Sequence, residues 1–181
     1  NTEDGDLLIG RNFDFSVGED FAKNKLIEFV EPENGIPYMS VSWPGMIGVV
    51  SGMNKEGVTV TINAGKSKIP LTAKTPISLV TREILQYAKN IDEAVAIARK
   101  RKMFVSESFL VASAADNKAV IIEKTPDALD VYDPKQDYIV CTNHFQSDGL
   151  NKSKDNEEQL KESASPYRYK RMMELLNENS P

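Results

Sequence analysis

One cysteine and one histidine in 181 residues leave little room for several kinds of chemistry. A single thiol cannot build an internal disulfide framework, and one Cys with one His falls short of a usual zinc site. The redox compartment therefore stays undetermined. No stretch approaches the roughly 18 apolar residues that a membrane-spanning helix needs. Basic residues are in the minority, 22 Lys and Arg against 27 Asp and Glu, and they are scattered along the chain. A net charge of −5 argues against nucleic acid as the main partner and gives no pull towards anionic membranes. The first residue is Asn rather than Met and no signal peptide is visible, so the sequence reads as lacking its natural start. A cytoplasmic protein and one exported after loss of an N-terminal segment are both left open.

What is present suits one globular domain over 1–181, since 40% of the residues are hydrophobic. Residues 5–15 read as a hairpin or strand pair after the turn Asp4-Gly5-Asp6. Strands are predicted over 25–30, 38–43 and 46–51, with Asn34-Gly35 as a turn and Gly52 to Gly57 as another. Val58, Val60 and Ile62 alternate with Thr59, Thr61 and Asn63, the period-two pattern of a strand. After Thr75 the apolar spacing becomes helical, with Thr75 as cap and Pro76 in the first position. A second helix starts at Asp92, stapled by Ile91, and its basic end Arg99 to Lys102 reads as a solvated last turn. Strands return over 109–115, 119–124, 129–132 and 138–142. Residues 147–164 are polar without periodicity and read as a surface loop or flap, before a last helix from Ser165-Pro166 with Tyr169, Met172, Met173 and Leu176 as its apolar stripe. Strands, two adjacent helices, strands, helix is an α+β order with antiparallel sheets and helices on outer faces.

Several residues invite chemistry. Arg11 and Asp14 lie in Gly10-Arg11-Asn12-Phe13-Asp14-Phe15, where a turn or bulge would bring them together. They read either as a structural ion pair of small net value or as functional groups. Asn63 and Asn143 end strands. Each could simply cap a turn, or the two could aim amide donors into one pocket and stabilise an oxyanion. Cys141 follows Tyr138-Ile139-Val140 and reads as a core thiol, while His144 lines a pocket or bonds to the backbone. Arg168 sits in the first turn of the last helix, where the dipole does not favour a cation, which leaves a surface role and a functional one open.

Taken in order, Gly10-Arg11-Asn12-Phe13-Asp14, Gly52-Met53-Asn54-Lys55-Glu56-Gly57 with Asn63 beyond it, Ala115-Asp116 with Ile122-Glu123, Cys141-Thr142-Asn143 and Ser165-Pro166-Tyr167-Arg168 resemble one group. It is the N-terminal-nucleophile hydrolases of the choloylglycine hydrolase, penicillin V acylase and acyl-CoA:6-aminopenicillanic acid acyltransferase kind. The resemblance covers nearly the whole chain. It implies a four-layer αββα sandwich with antiparallel sheets, incomplete in this chain, and a Cys nucleophile exposed as the first residue of the mature enzyme. By resemblance Arg11 and Asp14 would flank that Cys, Asp14 holding its α-amine and Arg11 tuning the thiolate. Asn63 and Asn143 would be polar pocket residues, Asn143 the better oxyanion donor, and Arg168 would help order the site. The expected Cys lies upstream of Asn1 and is absent from this sequence, so the 181 residues by themselves are expected to be inert.

The implied reaction is hydrolysis of a non-peptide amide in a small N-acyl substrate, without cofactor or metal. Phe15, Trp43, Met46, His144 and Phe145 are the expected pocket walls. Acyl transfer to an amine, or a non-catalytic relative that has lost its nucleophile, are the alternatives, and a homo-oligomer is compatible with all three.

Overall fold

A computed structural model describes residues 5–15, 18–66 and 73–178. Asp4 of the first predicted turn lies outside the described residues.

Seven strands form one antiparallel sheet in chain order: β1 (Leu26–Val30), β2 (Tyr38–Ser42), β3 (Ser51–Asn54), β4 (Val58–Ala64), β5 (Glu107–Ser113), β6 (Lys118–Lys124) and β7 (Leu129–Tyr132). The helices are α1 (Ile77–Tyr87), α2 (Ile91–Lys100), α3 (Lys154–Glu162) and α4 (Ser165–Glu178), and a short 3-10 turn spans Glu19–Ala22. The inserted pair α1–α2 returns the chain from β4 to its neighbour β5, whose register runs from Val58 opposite Ser113 to Ala64 opposite Glu107. Helix α1 covers β3 and β4, and α2 covers β5 and β6. The core lies between: Val58, Val60, Phe109, Val111, Val120 and Ile122 from the sheet meet Val80, Ile84, Leu85, Ala94 and Ala98 from the helices. This is the α+β fold that the element order predicts, with one sheet and one helix layer of a sandwich among the described residues. On the opposite face Ile27, Phe29, Val41 and Met53 stay exposed.

Local differences from the sequence reading have physical causes. Gly52 belongs to β3 and not to a turn, and the strand position takes glycine because a Cβ there would come within 2.6 Å of Leu85 Cδ1 and of Met39 O. The turn is confined to the residues after Asn54, with Gly57 at φ 81°. Residues 46–50 form no strand. Gly48 abuts Ser78, and Val49 donates to Ser78 O, so this segment docks on the start of α1. Thr75 does not cap α1; its N–H bonds to Lys102 O, and Pro76 precedes the first helical residue. Asn90 caps α2 through its side chain, and Glu93 reaches back to the Lys89 N–H. In the basic run after it, Arg101 makes a bidentate pair with Glu83.

Residues 138–142 are irregular, and so are 6–15. Part of the predicted loop 147–164 is α3, which a hydrophobic period could not reveal because its buried residue is polar: Asn156 bonds to the main chain of Phe145 and Asn151. The stripe on α4 is only half covered, with Met172 exposed.

Asn54 ties the helix layer to the sheet. Its Nδ2 donates to Leu85 O and Ala88 O at the end of α1, and its Oδ1 accepts from the N–H groups of Glu56 and Val58. Asn54→Ala strands buried donors and acceptors together, and we expect about 3 kcal/mol of lost stability in urea unfolding. A loss under about 1 kcal/mol would show that water replaces these bonds readily.

Candidate active site

Strand β3 begins at Ser51, opposite Thr61. One further bond, from Ile62 N–H to Val50 O, extends that ladder. Beyond it β4 runs on alone on this side, while β5 still pairs with its other side to Ala64. Main-chain carbonyls of residues two apart on a strand point the same way, so Ile62 O and Ala64 O share an open edge that needs donors. Two side chains supply them. Arg11 Nη2 donates to Ile62 O at 2.6 Å, and Asn143 Nδ2 donates to Ala64 O at 2.9 Å. Half-buried Asn63 sits between the two capped carbonyls. Three residues far apart in sequence thus meet at one strand end.

Arg11 is held further by Val50 O and Ser51 Oγ, both accepting from Nη1, and its guanidinium lies 4.7 Å from the Phe13 ring centre. These anchors explain why its segment needs no sheet pairing to be fixed. Burial pulls Arg11 down to about 10, with Cys141 and Glu107 opposing the shift, so it is charged at neutral pH. Asp14 is exposed on the same segment, and no Arg11–Asp14 ion pair forms among the described residues. The structural ion pair that the sequence left open is therefore not what holds Arg11.

Asn143 is fixed at three points. Its main-chain N–H donates to Ser165 Oγ at 2.7 Å, its Nδ2 to Ala64 O, and its Oδ1 accepts from Arg168 Nη2 at 2.8 Å. A donor on one side and an acceptor on the other settle which amide atom is which. The main-chain amide is already taken, so the remaining donor is the second Nδ2 proton. Below it, Thr142 Oγ1, His144 Nδ1 and Ser165 Oγ form a buried triangle with edges of 2.8 and 3.0 Å. Burial, with the Arg168 charge, holds His144 below the usual imidazole range and keeps it neutral at pH 7. Its ring stands edge-on to Tyr169. Arg168 itself is exposed and earns its contact through α4, whose first turn lies against this triangle.

An open cleft of about 630 Å³ abuts Arg11, sharing Val50 and Ser51 with it and lined also by Phe13, Asp14, Phe15, Phe21 and Trp43. Phe21 stacks on Trp43 at 4.4 Å, and the Trp43 indole donates to Phe21 O at 2.7 Å. Phe15 and Trp43 both line this cleft. Met46 packs on the core instead, His144 sits in the polar triangle, and Phe145 is buried against Gly65.

Cys141 is half-buried, and burial, with Glu123 and Glu107 adding to it, pushes its thiol up to about 12 against the pull of Arg11. It is protonated at neutral pH and poorly nucleophilic. Among the described residues no trio of His, Cys, Asp and Glu could hold a metal ion, and no helix is long and apolar enough to cross a membrane. The sequence reading missed Phe13 and Phe21, the Thr142–Ser165 support and Glu107. A lone carboxylate opening the apolar run Phe109–Ala112 was the available signal for the last.

Residues 1–181 match the family described as acyl-coenzyme A:6-aminopenicillanic acid acyl-transferase. Among curated proteins, an N-acylethanolamine-hydrolyzing acid amidase of Caenorhabditis elegans is 27% identical over 154 residues, covering 77% of this chain and 43% of that protein. An uncharacterized protein of Archaeoglobus fulgidus is 25% identical over 171 residues, covering 80% of this chain and 28% of its own length. The chain therefore spans less than half the length of these curated relatives. The solved structure of the Caenorhabditis elegans N-acylethanolamine-hydrolyzing acid amidase ortholog superposes with a TM-score of 0.63 at 22% identity, over 92% of this chain and 78% of that one, which shows a shared fold. The chain belongs to the acyl-coenzyme A:6-aminopenicillanic acid acyl-transferase family.

Proposed function

We propose that the full-length protein is a cysteine N-terminal-nucleophile amidase that hydrolyses the C–N bond of an N-acyl substrate through a thioester. The observation that carries this reading is the meeting of Arg11, Asn63 and Asn143 at the open edge of β4, beside an aromatic cleft. A guanidinium and a rigid amide donor at one strand end suit a thiolate and an oxyanion. The sulfur belongs to a Cys upstream of Asn1; the protonated, mid-chain Cys141 suits the role poorly.

In this reaction the free α-amine of the nucleophile, with a pKa near 8, takes the thiol proton. The Arg11 charge stabilises the thiolate, and Asp14, on the same segment, orients the amine. The sulfur attacks the acyl carbon, and the second Nδ2 proton of Asn143 meets the charge on the carbonyl oxygen. The α-ammonium returns its proton to the leaving amine as the C–N bond breaks. Water then adds to the thioester, releasing a carboxylic acid and restoring the thiol. The same site would serve acyl transfer if an amine replaced that water, and the family's own name favours keeping this second reading. An added amine acceptor that yields a new amide would distinguish it.

The cleft favours an apolar acyl group, and the C. elegans relative's name also points to an N-acyl amide. Each buried methylene is worth about 0.8 kcal/mol, or about fourfold. In an N-acyl series with one amine, kcat/KM of the full-length protein is expected to rise about threefold to fourfold per added methylene until the cleft is filled. A flat series would remove the cleft from the acyl site, and no thiol-sensitive turnover on any member would remove the amidase reading.

A further inference from the structure

Two buried atoms of opposite polarity near this strand end have no hydrogen-bond partner: Arg11 Nε and Glu107 Oε2. Folded chains rarely leave such groups unmatched, since each gives up its water partners without a replacement. Glu107 is 7% exposed and opens β5 directly opposite Ala64, the residue whose carbonyl Asn143 caps. Arg11 caps the carbonyl two residues earlier. Although the two groups form no ion pair, each acts on the other: Arg11 favours the ionised carboxyl and Glu107 favours the guanidinium charge. Among the described residues, Lys124 lies cross-strand from Glu107 on β6, and Cys141, from the irregular segment after β7, also feels its charge.

We propose that Glu107 is a positioning residue that acts through Arg11: while its carboxyl holds a proton, Arg11 presents its full charge to the reacting sulfur, and ionisation of Glu107 cancels that charge. This rests on the thiol-amidase reading above. Ionisation releases one proton to solvent and makes or breaks no other bond. Loss of the Arg11 field raises the pKa of the reacting thiol and shrinks its thiolate fraction. The result is an activity that declines on the alkaline side of neutrality, opposite to the rise that thiol deprotonation alone would give. Burial pushes the Glu107 carboxyl up to about 7, which places the decline in a measurable range.

The test is the pH profile of kcat/KM for the full-length protein and its E107Q variant. The wild-type profile should fall at least about tenfold through a limb near pH 7, and E107Q, which has no carboxyl to ionise, should lack that limb. A wild-type profile without the limb, or the same limb in E107Q, overturns the proposal. Absence of any turnover would count against the amidase reading instead. Carbon-13 NMR of carboxyl-labelled glutamate in the full-length protein then decides separately, with the Glu107 signal assigned by its loss in E107Q. A midpoint near 7 that rises by at least about one unit in R11Q supports the coupling. A midpoint in the ordinary carboxylate range, or one that R11Q leaves in place, overturns it. If R11Q does not fold, the wild-type midpoint decides alone.

Discussion

Asn143→Ala in the full-length protein is expected to lower kcat by about 10²–10³ while KM changes only a few-fold, as for loss of one oxyanion donor. The argument is geometric. Asn143 is fixed at its main-chain N–H, at Nδ2 and at Oδ1, which leaves one Nδ2 proton in a set direction. A donor that needs no reorganisation during the reaction acts on the transition state more than on the ground state. Arg168 has a different part. It touches Oδ1 of that amide and lies exposed, so Arg168→Ala should cost about tenfold through misplacement of Asn143 and nothing further in the Asn143→Ala background. Additive losses in the double variant would mean that Arg168 acts on its own, and an Asn143→Ala enzyme within a few-fold of wild type would remove the amide from the reaction.

Glu107→Gln should stabilise the protein at alkaline pH and leave it unchanged in acid. An unfolded chain loses the Glu107 proton near 4.5, whereas burial in the folded chain holds it up to about 7. Between those values the folded state binds the extra proton, so stability falls as pH rises. Below about 4.5 both states are neutral and there is no penalty; above about 7 the penalty is complete. A shift of this size is worth about 3 kcal/mol. Urea unfolding of the full-length protein and E107Q should therefore agree near pH 4.5 and diverge by up to about 3 kcal/mol at pH 8, with the variant more stable. A constant difference across that range would mean that Glu107 is ionised throughout.

Much of the sheet could be read from the chain because burial leaves a period. In β4, Val58, Val60 and Ile62 face the helices and Thr59, Thr61 and Asn63 the other side, so alternation and structure coincide. The α1–α2 pair was legible for the same reason. Where polar contacts set the conformation, period failed. Helix α3 buries Asn156 rather than an apolar stripe. Residues 138–142 are apolar yet make no strand, and the segment they begin is tied to β6 by side chains: Glu123 accepts from the N–H groups of Gln146 and Ser147. Residues 5–15 read as a hairpin or strand pair, but 6–15 are irregular, and one guanidinium reaching to Val50 and Ile62 anchors them.

The site was legible as a set of residues and not as a geometry. Arg11, Asn63, Asn143 and Arg168 stood out by position and by resemblance, and they converge on one edge of β4 or on the amide that caps it. What joins them is a main-chain vacancy where β3 stops short of its neighbour, which no residue type announces. Asp14 stays on the exposed side of the same segment. Glu107 was passed over because a charged residue ahead of an apolar run reads as a strand boundary.

The full-length gene product, incubated with an N-acyl substrate, quenched in acid and mapped by mass after proteolysis, tests the central claim most directly. The expected adduct is one acyl group, labile to hydroxylamine, on a new N-terminal cysteine in the peptide that precedes Asn1. An acyl group on Cys141, or a processed protein with no thiol ahead of Asn1, would contradict it.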